Sequence, residues 1–259
     1  MGDIVIKIGD YVTRISYNND IIFKVVDIKD NNYFLVGAYL RLSADSPIDD
    51  LKLYDGNIND DNFKIDFSDY SNLDRNDFFY LPGKILHIDG DEEFLRRSLE
   101  FYKKNRIKAY GLFLNESDLS DNLYDYLVKY NPDILVITGH DALYRKKNRN
   151  GTYKNTSNFV SAVKEARRFE KSHEKLIIIA GACQSNYEEL IKAGANFASS
   201  PKRINIHALD PAIIAGSLAF SDKNENINLI KILEKTKYGS DGIGGIITKG
   251  TMYVGFPRE

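Results

Sequence analysis

The chain has 259 residues, enough for one large domain or for a medium domain with a small one. Its composition, 43% hydrophobic and 28% charged, is typical of a globular protein, and its net charge of −2 gives no electrostatic reason to expect nucleic acid as a partner. A single cysteine excludes an internal disulfide, and no apolar run is long enough for a membrane-spanning helix, so we expect a cytoplasmic protein without membrane insertion.

The first 55 residues show the alternation of apolar and polar positions that is typical of β-strands. Runs at 9–17, 21–28 and 33–39 are separated by short polar turns, which predicts three strands in a small SH3-like barrel or meander at residues 1–55. We expect this module to recruit substrate and to perform no chemistry. The next segment, 56–80, is rich in Asp and Asn and predicts an acidic linker.

After the linker, short apolar runs alternate with amphipathic segments, which predicts a parallel α/β sheet in a domain spanning residues 81–259. The runs are apolar at consecutive positions, as expected for strands that are buried on both faces. The predicted strands lie at 84–87, 107–114, 134–138 and 176–180, and the predicted helices at about 91–105, 117–130, 186–193, 211–220 and 227–238.

Two of these strands end on residues that could perform catalysis. His140 follows the run 133–139, and Cys183, the single cysteine, follows the run 175–182. Because consecutive parallel strands place their carboxyl ends along one edge, the imidazole and the thiol are expected side by side. A cysteine nucleophile needs such a general base next to it.

A lone cysteine is most often a small buried hydrophobe, and this reading must be weighed against the catalytic one. Three features favour catalysis. Cys183 lies past its strand, it precedes a predicted helix whose amides would favour a thiolate, and its neighbours are small or polar.

The other three histidines are weaker candidates for the base. His87 ends the first predicted strand beside two aspartates and is a rival to His140, as is His207 near Asp210, whereas His173 lies in a charged loop. The histidines and the cysteine show no metal-ligand spacing, so we expect neither a metal nor a cofactor. The basic loop at 144–150 could act as a mobile lid beside the site.

Long stretches of the chain closely resemble the YabG sporulation-specific protease family of endospore-forming Firmicutes. The resemblance covers nearly the whole chain and is most specific in the two strand–loop blocks that end on His140 and Cys183. The segments that carry it are 9–17, 41–47, 86–91, 133–141, 181–185, 193–201 and 206–211.

The resemblance implies a cysteine protease that trims spore coat and germination proteins and cleaves beside arginine. The family's histidine falls on His140 and its cysteine on Cys183. Its partners would be proteins of the spore coat and cortex, and its place the mother-cell cytoplasm before association with the coat. A more distant similarity to caspase-like peptidases implies a three-layer caspase-like domain with an oxyanion hole made by the amides of Asp141 and Cys183.

If the enzyme selects arginine, a carboxylate should bind the guanidinium in a desolvated pocket. The candidates at strand ends are Asp89, Asp91, Asp141 and Asp210, with a slight preference for the first two. Asp141 could instead orient His140, and Asp89 or Asp91 could instead cap the following helix.

Two other functions stay open at this point. The runs 176–182 and 193–201 also resemble barrel strands that open phosphate-binding loops, which would suit a TIM-barrel-like enzyme, although fewer than eight strands are visible. Alternatively, the chain is a non-enzymatic coat or scaffold protein that binds through its N-terminal module.

Overall fold

The structure, a computed structural model, describes residues 5–58, 76–144 and 152–258. Its N-terminal part is an antiparallel sheet of five strands in the order β4-β3-β2-β1-β5. The strands are β1 (Tyr11–Arg14), β2 (Phe23–Lys29), β3 (Asn32–Gly37), β4 (Ser43–Pro47) and β5 (Leu51–Leu53). The sequence predicted only three of these strands, because β4 consists of small polar residues with low β-propensity and β5 is very short.

The central sheet has six strands in the order β14-β13-β12-β9-β7-β8. Five run parallel, and β14 pairs antiparallel with β13 at one edge. The strands are β7 (Ile85–Asp89), β8 (Ala109–Phe113), β9 (Ile134–Thr138), β12 (Ile177–Ala180), β13 (Phe197–Ser199) and β14 (Ile243–Gly245). The predicted parallel α/β sheet is confirmed. The TIM-barrel alternative is wrong, because this sheet is open and ends in two edge strands.

Two short two-stranded sheets complete the strands of the described residues. β6 (Phe79–Leu81) pairs with β15 (Tyr253–Gly255), and β10 (Leu143–Tyr144) pairs with β11 (Thr152–Tyr153). Most of the predicted acidic linker and most of the basic loop, residues 59–75 and 145–151, lie outside the described residues.

Helices cover both faces of the central sheet. They are α1 (Glu92–Lys104), α2 (Leu123–Tyr130), α3 (Thr156–Phe169), α4 (Tyr187–Ala193), α5 (Asp210–Ala219) and α6 (Leu229–Leu233). Side chains of α2, α3 and α4 share one buried cluster, and side chains of α1, α5 and α6 share another. Residues 134–137 of β9 alternate between these two clusters, which explains why all four are apolar.

Two predicted helices are shorter than expected. α2 begins after Asn122, whose left-handed φ of 54° interrupts the predicted helix 117–130. α6 begins after Asn228, which caps it by accepting a hydrogen bond from Lys231 N. It ends at Leu233, whose carbonyl accepts from the Thr236 hydroxyl at 2.7 Å.

The N-terminal sheet packs directly against the central domain. Val12, Phe23 and Leu35 are buried in the same cluster as side chains of β9 and β12. The boundary that the sequence predicted between 55 and 81 is therefore crossed by continuous packing, and the fold positions the N-terminal sheet beside the carboxyl edge of the central one.

Candidate active site

The site lies at the carboxyl edge of β9 and β12. These strands are parallel neighbours, with Ile137 opposite Ala180, so the loops that carry His140 and Cys183 leave the sheet side by side. The backbone turns sharply after β12, where Gly181 and Gln184 both have a left-handed φ, 103° and 58°. Glycine adopts this φ without steric cost, whereas for Gln184 it is strained, and strained residues are concentrated at functional sites.

His140 is buried and held on one side by a carboxylate. Its Nε2 lies 2.8 Å from Asp91 Oδ2, and its backbone N–H donates to Glu116 Oε1 at 2.8 Å. Its Nδ1 is buried and has no hydrogen-bond partner. With the Nε2 proton directed at Asp91, Nδ1 carries the lone pair, which is the arrangement of an oriented general base.

Asp91 has two roles at once. Its Oδ1 accepts from Phe94 N at 2.9 Å and so caps α1, as the sequence allowed. Its Oδ2 binds His140. Burial would raise the pKa of Asp91, but the hydrogen bond and charge of His140 hold it below its usual value. Asp91 therefore orients His140, a role that the sequence analysis had considered for Asp141.

A cleft of about 1130 Å³ opens beside this pair. His140, Asp91, Phe94 and Glu116 line it, together with residues of β2 and β3 such as Lys24. The N-terminal sheet therefore forms one wall of the cleft next to the candidate base, and a peptide that entered here would contact both parts of the chain.

Cys183 is completely buried and its thiol is bonded to the backbone. Sγ accepts from Ile206 N at 3.2 Å and lies 3.6 Å from Ile206 O, and the Cys183 amide donates to Arg41 O at 3.0 Å. Burial raises the pKa of the thiol well above its usual value, although the Ile206 amide opposes this. The thiol is thus neutral here, and it is not hydrogen-bonded to His140.

Asp89 forms a buried ion pair with Arg41 of the N-terminal part. Arg41 Nη1 lies 3.0 and 2.8 Å from the two Asp89 oxygens, and both side chains have no exposed surface. Burial alone would raise the pKa of Asp89, but the Arg41 guanidinium and the His87 ring hold it well below its usual range. Asp89 is therefore a carboxylate that already binds a guanidinium, with one nitrogen donating to both of its oxygens.

Asp141 is fully buried, and its side chain is bonded to groups other than the His140 ring. One oxygen accepts from Ala142 N and Asn155 N, both at 2.8 Å, and the other accepts from the hydroxyls of Thr156 and Ser185 at 2.5 and 2.8 Å. Its carboxylate connects the loop after β9 to the start of α3 and to the loop that carries Cys183.

Asp210 lies at the start of α5 and accepts from the backbone amides of His207 and Lys237 at 2.9 and 3.0 Å. Burial raises its pKa to about 6, although these two hydrogen bonds oppose the rise. Of the four candidate carboxylates, only Asp91 lines the cleft, while Asp89, Asp141 and Asp210 are buried and bonded within the protein.

The rival histidines are bonded elsewhere. His87 is buried in β7 between the Tyr102 hydroxyl at 2.9 Å and the Thr138 hydroxyl at 3.2 Å, and burial lowers its pKa. His207 is buried with Nδ1 accepting from Leu209 N at 3.1 Å. His173 lies in the turn before β12, at the opposite end of the sheet.

Sequence reasoning missed Arg41 and Glu116. Arg41 was part of a recognised segment, but nothing in its local pattern signals that a charged residue will be buried in another part of the fold. Glu116 lies in a polar stretch whose pattern predicts the solvent-exposed start of a helix. Among the described residues, no group of three or more His, Cys, Asp or Glu side chains could hold a metal ion.

Two comparisons with known proteins identify the same peptidase family. The family model described as YabG peptidase U57 matches residues 7–65 and 59–257. The chain is 38% identical over 285 residues to the sporulation-specific protease YabG of Bacillus subtilis (strain 168), covering 98% of each chain. No solved structure matches it significantly. Within the part of the chain that is described, no helix is long and apolar enough to cross a membrane.

Proposed function

Because the chain belongs to the YabG peptidase U57 family, and is therefore a peptidase, we propose that it is a cysteine endopeptidase with Cys183 as the nucleophile and His140 as the general base. The observation that carries this proposal is the Nδ1 of His140, which is buried and has no hydrogen-bond partner, while Asp91 binds the Nε2 of the same ring. His140 follows β9, and β9 is the neighbour of β12, the strand that leads to Cys183. A non-enzymatic scaffold does not need an oriented base.

The chemistry follows from these positions. His140 Nδ1 takes the proton of Cys183, and the thiolate attacks the carbonyl carbon of the scissile bond. The imidazolium, stabilised by Asp91, then returns the proton to the leaving amine, and water hydrolyses the thioester. The backbone amides of Cys183 and Asp141 are the proposed donors to the oxyanion.

The structure is a resting form of such an enzyme. The Cys183 thiol must leave Ile206 and turn toward His140 before proton transfer, and its amide must exchange the Arg41 carbonyl for that of a substrate. Removing the thiol from its buried position also removes the burial that raises its pKa.

We assign arginine selection to Asp89, one of the two carboxylates that the sequence favoured. The support is the contact with Arg41, since two short hydrogen bonds from one guanidinium nitrogen show that the geometry around Asp89 accepts this group. Asp141 and Asp210 accept from amides and hydroxyls and bind no guanidinium, and Asp91 is bonded to His140.

The wider biology is proposed from the relative. That protein is named a sporulation-specific protease, and we propose that this chain likewise acts during sporulation, in the mother cell, on proteins of the spore coat and cortex. We also propose a caspase-like arrangement of the catalytic domain, supported by a largely parallel sheet with helices on both faces and by the order of the His140 and Cys183 strands.

The test is cleavage of an arginine-containing peptide library by purified wild type, Cys183→Ala and His140→Ala. Both variants should lose cleavage by at least about 100-fold while circular dichroism stays unchanged. His173→Ala, which changes a histidine at the opposite end of the sheet, is the control and should retain activity. Near-normal turnover by Cys183→Ala would show that another residue is the nucleophile.

A further inference from the structure

Residues 39–43 connect β3 to the start of β4 in the N-terminal sheet. This segment crosses the carboxyl edge of the central sheet. The segment pairs through bridges between Leu40 and His207 and between Leu42 and Asp141. Its backbone hydrogen bonds are Ala208 N to Tyr39 O at 2.8 Å, Arg41 N to Ile206 O at 3.3 Å, Cys183 N to Arg41 O at 3.0 Å and Ser43 N to Asp141 O at 3.4 Å. Adding a strand-like segment to protein backbone is a common way of binding a peptide.

Arg41 occupies the centre of this segment, and its carbonyl oxygen accepts from the amide of Cys183, one of the proposed oxyanion donors. In a substrate complex, the carbonyl of the scissile peptide bond would accept from this same amide. The loops after β9, β12 and β13 thus hold the backbone of residues 39–43 as they would hold a substrate.

The Arg41 side chain fills a closed pocket. Nη1 binds both oxygens of Asp89, Nε and Nη2 donate to Ala208 O at 3.0 and 2.6 Å, and the guanidinium carbon lies 5.3 Å from the centre of the Phe94 ring. A carboxylate, a carbonyl and an aromatic face make up a complete guanidinium site. The side chain has no exposed surface, so nothing else can enter while it is there.

We propose that residues 39–43 are a built-in pseudosubstrate, in which Arg41 occupies the pocket for a substrate arginine and keeps the peptidase closed until the segment leaves. This inference rests on the proposed function, because it uses Cys183 and Asp89 in their proposed roles. It adds the regulation of the site and identifies its ligand as an arginine side chain on an extended peptide.

The segment persists as an inhibitor because the nucleophile beside it is not activated. The thiol is bonded to Ile206 and its pKa is raised by burial, so the Arg41–Leu42 bond is not attacked in this form. Residues 38–42 lie between β3 and β4, so their displacement breaks none of the β3–β4 pairs, and within the segment only Ser43 is paired with β3, through Val36.

The binding part of the proposal is tested without catalysis, in full-length Cys183→Ala. Adding Arg41→Ala should empty the pocket, and ethylguanidinium should then raise the thermal midpoint in a concentration-dependent way. N-ethylurea, which has a similar shape and no charge, should not, and neither compound should stabilise Cys183→Ala that retains Arg41. Adding Asp89→Asn should abolish the effect of ethylguanidinium. Equal stabilisation by both compounds, or by neither, overturns the assignment of the pocket.

The inhibitory part is tested with the thiol restored. Arg41→Ala should cleave an arginine peptide about 10-fold faster than wild type, because an internal competitor is removed, and ethylguanidinium should inhibit it. If Arg41→Ala does not fold alone, Arg41→Lys, which keeps the charge and most of the stem, should be partly activated. A folded variant no faster than wild type refutes inhibition by the segment. Cleavage by Arg41→Ala that persists after Cys183→Ala instead refutes the proposed nucleophile and leaves the pocket intact.

Discussion

The carboxylates around the site differ in what they bind, and this difference separates their roles. Asp89 binds a guanidinium, Asp91 binds an imidazole, Asp141 binds two amides and two hydroxyls, and Asp210 binds two backbone amides. All four occur at strand or helix ends in the sequence, so only their partners distinguish an orienting residue from a structural one.

Asp91→Asn tests the orienting role. Asparagine is as good an N-cap as aspartate, so α1 should keep its cap and the thermal midpoint should change little. The variant loses the charge that stabilises the His140 imidazolium, so kcat should fall by about 100-fold. Steady-state kinetics combined with a melting curve measures both. An unchanged kcat would contradict the orienting role, whereas a large loss of stability would show that Asp91 acts mainly through the helix.

Asp210 should make stability depend on pH. Its pKa is about 6 in the folded state and 3.8 in a model peptide, so the folded chain binds more protons between these values. The contribution is fully present below the unfolded pKa and is lost as pH rises through about 6. Relative to Asp210→Asn, the free energy of unfolding of wild type should therefore fall by up to ~3 kcal/mol between pH 4 and 7.

Urea titrations over this pH range measure the difference between the two proteins. The exposed Asp121 provides a matched control, because Asp121→Asn should run parallel to wild type. Parallel curves for wild type and Asp210→Asn would mean that Asp210 is ionised to the same extent in the folded and unfolded states.

At the scale of elements, the loops after the parallel strands are joined by buried polar contacts. Asp141 links the loop after β9 with α3 and with the loop after β12, which carries Cys183. The positions of His140 and Cys183 therefore depend on one carboxylate whose hydrogen bonds go to other residues.

Asp141→Ala should lower stability strongly and should not change specificity. It leaves two buried amides and two buried hydroxyls without their acceptor, at about 1–3 kcal/mol for each group. Thermal denaturation should show the loss, and cleavage of arginine and uncharged peptides should fall in parallel. A selective loss for arginine peptides would instead assign substrate recognition to Asp141.

For the whole molecule, the N-terminal sheet and the central domain share a core and an ion pair. Val12, Phe23 and Leu35 pack into the cluster behind the central sheet, and Arg41 neutralises Asp89. The sequence suggested a separable module, and these contacts join the N-terminal part to the central domain next to the candidate site.

Removal of residues 1–55 tests the two views directly. We expect the remaining chain to be unfolded or aggregated, because it exposes an apolar face and leaves Asp89 buried without its partner, which alone costs about 3–5 kcal/mol. Circular dichroism and gel filtration are sufficient to decide. If residues 56–259 form a monomeric, folded chain that cleaves short peptides, the division that the sequence predicted is supported.

The sequence by itself determined the α/β class, the alternation of strands and helices after the linker, the start of α1 and the adjacent positions of the strands that lead to His140 and Cys183. These features depend on local periodicity, capping residues and chain order, which are visible in one dimension. The acidic segment and the basic loop, largely outside the described residues, keep their sequence-based interpretation.

The tertiary structure alone decided which carboxylate meets His140, that Cys183 is buried against Ile206, and that Arg41 reaches Asp89 from another part of the chain. Each of these contacts joins residues that are far apart in sequence, and no local pattern encodes a partner at such a distance. Burying an arginine raises the free energy of the folded state unless a carboxylate is buried beside it as its partner. The position of such an arginine is therefore determined by the completed fold.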